Sequence, residues 1–116
     1  MEAAFRAFEQ QAKAFEKQAE KMQREADKLE KKADQLEDDA DVMFDRAEDA
    51  RGQKRQEMLA KAEAVMHKAE AVRQIAEDLE AQAEELEAQA EELEDEAEAL
   101  EDEMEELEEL AEAEED

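Results

Sequence analysis

The sequence predicts an all-α fold: a long antiparallel two-helix coiled-coil hairpin. Three observations carry the prediction. Small and large apolar residues alternate at spacings of three and four along nearly the whole chain. The alternation is interrupted once, over residues 51–57. That interruption holds Gly52, the only glycine among 116 residues, and the chain has no proline.

The first run reads Phe8, Ala12, Phe15, Ala19, Met22, Ala26, Leu29, Ala33, Leu36, Ala40, Met43 and Ala47. This is a heptad whose a positions are alanine and whose d positions are large, and such a seam faces a partner helix. The second run resumes at Met58 and Ala62 and continues through Val65, Ala69, Val72, Ala76, Leu79, Ala83, Leu86, Ala90, Leu93, Ala97, Leu100 and Met104 to Leu107. Parallel helices would stack alanine on alanine and large on large. Antiparallel helices put one alanine and one large residue in every layer, which fills space evenly and lets the axes approach to about 8 Å. The pattern resembles the tight packing class called an Alacoil, which carries no function with it.

Pairing residues whose numbers sum to 105 places Ala12 on Leu93, Ala33 on Val72 and Ala47 on Met58, and centres the fold between Gly52 and Gln53. Helix 1 is therefore expected over about residues 2–50, a turn over about 51–54 and helix 2 over about 55–113 with an acidic C-terminal overhang, all in one coiled-coil domain, with glycine suited to a helix C-cap. End chemistry pulls the other way. Asp45, Glu48 and Asp49 lie at the C-terminus of helix 1, and Lys54 and Arg55 at the N-terminus of helix 2, both unfavourable to the helix dipole. The alternative is a continuous helix forming an antiparallel coiled-coil dimer, since a mid-helix glycine costs only about 1 kcal/mol.

Composition restricts the chemistry. The chain has 41 acidic and 15 basic residues, for a net charge of −26, and it contains no Cys, Ser, Thr, Tyr or Trp. Thiolate, hydroxyl and phenol nucleophiles are therefore missing. Glycine-rich phosphate loops cannot be made with one glycine. His67 is the sole histidine, at an outward f position beside Glu63 and Glu70, and one His without a second type of ligand is a weak metal signal. Asp38, Asp39, Asp41 and Asp45 are dense in acid but lack the spacing of a calcium loop. Pairs such as Glu84, Glu85, Glu91 and Glu92 lie on an exposed helix with no cleft to shift them. The expectation is a non-enzyme without metal or cofactor.

Acid excess also disfavours direct nucleic-acid binding, because phosphates are repelled. Membrane association is disfavoured, since no long apolar run is present and cations are few near the aromatic end. A cytoplasmic location is expected, and the acidity resembles that of proteins from salt-accumulating cells. Departures from the regular repeat mark two candidate contact regions. Phe44, Leu59 and Met66 sit at e positions near the turn, with Val42 close by, and form a candidate interaction patch. Phe5, Phe8, Leu107 and Leu110 form a candidate open-end contact. At that end, Glu9 and Glu16 are expected to face Glu94 and Glu87, with like charges raising carboxylate pKa values. From Gln74 to Asp116 there is no basic residue, and 23 of 43 residues are acidic. The expected function is a structural or assembly coiled coil that acts through protein–protein contacts or self-association. The alternative is an acidic binding module, or chaperone-like protein, that captures a basic partner.

Overall fold

The computed structural model describes residues 2–115. It contains two helices, α1 (Glu2–Asp49) and α2 (Gly52–Glu115), and no strand among the described residues. The chain turns back on itself between them, so the two helices pack as a hairpin. The continuous-helix alternative is thereby corrected: α1 stops after Asp49, and Ala50 and Arg51 separate it from α2.

The turn is shorter and earlier than expected. It occupies residues 50–51 rather than 51–54, and helix 1 ends one residue short of its expected limit. The reason is local backbone geometry. The Ala50 N–H donates to the Ala47 carbonyl at 3.1 Å, tightening the last turn of α1 by a three-residue closure. Gly52 then takes φ +66°, the left-handed region that redirects the chain, and α2 is helical from that residue onward. A Cβ at Gly52 would meet nothing within 4 Å. The penalty for an L-residue there is therefore conformational rather than steric, about 1–2 kcal/mol.

The helices divide into two compact units, Met22–Ala81, and Met1–Lys21 with Gln82–Asp116. In the first, the turn-containing unit, the buried apolar residues are Ala26, Ala33, Ala40, Ala47, Ala62, Ala69 and Ala76. In the second, which pairs the far ends of the helices, they are Ala12, Ala19, Ala83, Ala90 and Ala97. Every one of these is an a position of the heptad. The large d residues, including Leu29, Leu36, Val65 and Val72 in one unit and Phe15, Leu86 and Leu93 in the other, are half-buried. A two-helix pair has only one seam, so a large side chain at d always keeps one edge in water. The seam alanines keep at most 3% of their exposure.

The seam is intolerant of added volume at a positions. Ala76 is 0% exposed, and the sum of 105 sets it against Leu29. Ala76→Leu would insert three carbons between two backbones that alanine brings close. The expected loss is about 1–3 kcal/mol in urea denaturation. The same substitution at exposed Ala71 should change stability by no more than about 0.5 kcal/mol.

Candidate functional site

One flank of the helix pair is less exposed than the other. Every g position is exposed, whereas several e positions are half-buried: Glu30, Glu37, Phe44, Leu59, Met66, Arg73 and Glu80. In the turn-containing unit, the Arg73 guanidinium donates to the Glu37 carboxylate and, through Nη2 at 2.7 Å, to Asp34 Oδ1. This holds the Glu37 carboxyl below the usual carboxylate range, with the Arg73 hydrogen bond as the main cause and its charge assisting against partial desolvation. One heptad further from the turn, the carboxylates of Asp27, Glu30 and Glu80 lie within 4.8 Å of one another.

In the far-end unit the same geometry brings like charges together. Glu94 lies beside Glu16, so that a side-chain hydrogen bond can form whenever one of the two carboxyl groups carries a proton. That bond raises the Glu94 pKa above the ordinary carboxylate value. The Glu16 charge adds to the shift, followed by partial desolvation and the charges of Glu91 and Asp95.

These contacts correct the expected flank pairing. Glu16 meets Glu94, not Glu87, and Glu9 lines the same grooves as Glu101. The observed e–e pairs (16 with 94, 30 with 80, 37 with 73) all have numbers summing to 110. The expected pairs summed to 103. Each Cα–Cβ bond tilts toward its own helix N-terminus. In an antiparallel pair the two side chains therefore lean toward each other for one offset and apart for the other. Sequence spacing alone allows both, and the tilt selects 110.

A run of shallow grooves follows this flank in the far-end unit. One of about 480 Å³ is walled by Glu16, Glu20, Glu84, Glu87, Glu91 and Glu94, with Ala88 on its floor. It shares Glu94 with a second groove of about 320 Å³, which also touches Phe5, Glu9, Lys13 and Glu101. The second shares Phe5, Glu9 and Glu101 with a third of about 330 Å³, bounded further by Arg6, Met104, Glu105 and Glu108. Carboxylates outnumber cations in all three, and the apolar floor is thickest at Phe5 and Met104.

The sequence-predicted contact residues fall into different environments. Phe44, Leu59 and Met66 are half-buried and thicken the pair near the turn, while neighbouring Val42 is 49% exposed. Phe5 and Phe8 are half-buried, with Phe5 lining two grooves. Leu107 and Leu110 are exposed, at 52% and 62%. Ile75, 52% exposed at a g position, was not singled out from the sequence. A large residue at g on the wider flank is the signal that marks it. The Asp27, Glu30 and Glu80 cluster was likewise missed, because it is visible only once the convergent offset is known. His67 stays at the surface, with Nδ1 3.6 Å from Glu70 Oε2. No helix among the described residues is long and apolar enough to cross a membrane. No protein-family model, curated protein or solved structure matches the chain.

The sign of the pH dependence differs between the two flank pairs. Glu37, with its pKa lowered by folding, contributes stability above the ordinary carboxylate value that is lost as pH falls through its lowered one. Glu94, with its pKa raised, contributes stability that is full below the ordinary value and lost as pH rises through its raised one. At neutral pH the Glu94–Glu16 contact is thus a net burden. Glu94→Gln should raise the melting temperature at neutral pH and shrink the gain seen on acidifying to about pH 5. An unchanged gain in thermal melts would contradict the assignment of that titration to this contact.

Proposed function

We propose that this chain is a non-enzymatic structural or assembly hairpin that acts through protein–protein contacts, and that its working face is the acidic flank of the far-end unit. The observation that carries this reading is the groove run itself. Two helices hold carboxylate pairs, Glu16 with Glu94 and Glu9 beside Glu101, against their mutual repulsion, and the apolar side chains of Phe5 and Met104 lie at one end. A protein surface with cations at helical spacing would relieve that repulsion and cover those apolar groups in one contact. The candidate patch at Phe44, Leu59 and Met66 is a weaker docking face, because its side chains are half-withdrawn into the pair. In this reading the alternation of buried alanine with half-buried large residues corresponds to Alacoil-type packing. The acid excess suits a chain that works dissolved in a salt-rich cytoplasm.

A second reading, an acidic module that captures a separate basic protein, draws on the same face. The long acidic run of α2 favours it. Both readings predict that the grooves bind cationic helical surface. The test is calorimetric titration with a synthetic amphipathic helix carrying lysine every seventh residue. Saturable binding is expected, weakened at least tenfold by Glu94→Lys with Glu101→Lys. Equal affinity for the double variant would remove the groove from the account.

A further inference from the structure

The groove run has a specific spacing. Its carboxylate pairs, Glu16 with Glu94 and Glu9 beside Glu101, repeat every seven residues on both helices. Two positions seven apart on a helix lie on the same face, about 10.5 Å from one another. An occupant that satisfies both pairs therefore needs two cations at that separation on one helical face.

The chain carries such a face itself. Arg24, Lys28 and Lys31 on α1 follow one another at spacings of four and three, so Arg24 and Lys31 are seven apart with Lys28 between them. All three are exposed. The ion pairs of His67 and Arg73 do not involve them. They point outward, at c and f positions, away from the seam they would otherwise serve. Nothing in the hairpin requires a basic stripe there, since the seam is closed by alanine and by the d residues.

We propose that the occupant of the acidic groove is a second copy of this chain, docked through the Arg24, Lys28 and Lys31 face of its α1. The inference rests on the groove being the contact face and names what fills it. Arg24 and Lys31 of one copy place their heads at the two carboxylate pairs of the other, and Lys28 lies between them. Arginine and lysine heads can each donate to two carboxylates, so one cation bridges a pair and offsets half of its charge. The net charge of −26 opposes approach at long range. That repulsion is screened beyond about 8 Å at physiological ionic strength, whereas contact pairs are screened less. Arg6 and Lys13 already stand at the groove edges, but carboxylates outnumber them in both of the grooves they touch.

Charge complementation tests this at one fixed ionic strength, about 0.15 M, because added salt weakens both the contact and the long-range repulsion. Three proteins are compared by sedimentation equilibrium: the unaltered chain, a stripe variant (Arg24→Glu, Lys28→Glu, Lys31→Glu) and a groove variant (Glu94→Lys, Glu101→Lys). The unaltered chain should exceed monomer mass, each variant alone should be monomeric, and an equal mixture of the two should regain a two-chain species. A milder stripe variant with glutamine at all three positions guards against loss of helix, which circular dichroism reports. An unaltered chain that stays monomeric, variants that retain its mass, or a mixture that stays monomeric would each overturn the proposal. A monomer that still binds the lysine-bearing helix would overturn only the second-copy assignment. A monomer that does not bind it would overturn the contact face as well.

Discussion

Alanine in the seam is the constraint on which the rest of the structure depends. Among the described residues no side chain larger than alanine is fully buried, and no polar or charged group is buried. The core is a row of alanine methyl groups. Such a core buries little area per residue. The fold is therefore carried largely by the helices themselves, which are 48 and 64 residues long and rich in alanine and glutamate, with lysine frequent in α1 and leucine in α2. Length offsets the cost of helix nucleation, which is incurred once per helix. Close packing then adds direction and register to helices that composition already favours.

The flank shows a second regularity. Several e positions are half-buried while the g positions are exposed, so side chains at e meet across the pair. In the turn-containing unit that rule brings Arg73 onto Glu37 and Asp34, an attractive contact. In the far-end unit the identical offset brings Glu94 onto Glu16, a repulsive one. The turn-containing unit also holds a like-charged e pair, Glu30 with Glu80 beside Asp27, so the sign of each flank contact is set by the side chains and not by the backbone.

The seam, the antiparallel direction and the buried alanines were legible because each depends only on residue size at a fixed period. All twelve alanines that the heptad places at a, from Ala12 to Ala97, are the ones that lose their exposure. The turn was legible in kind but was shifted, since the left-handed glycine opens α2 instead of following several loop residues. The e pairing was misread because position numbers permit two offsets, and only the tilt of the Cα–Cβ bond chooses between them. The grooves were not legible at all. Their walls depend on where long glutamate side chains lie, and a heptad assignment says nothing of that.

The central claim is that the alanine seam closes within one chain. Its most direct measurement is an isotope-filtered nuclear Overhauser experiment between the Ala33 methyl and the Val72 methyls, which the sum of 105 brings into one layer. The account predicts a strong cross-peak in a uniformly labelled sample and none in the filtered spectrum of labelled and unlabelled chains unfolded together and refolded. An absent cross-peak in the first sample, or a present one in the second, would contradict it, the latter by showing that the seam is made between chains.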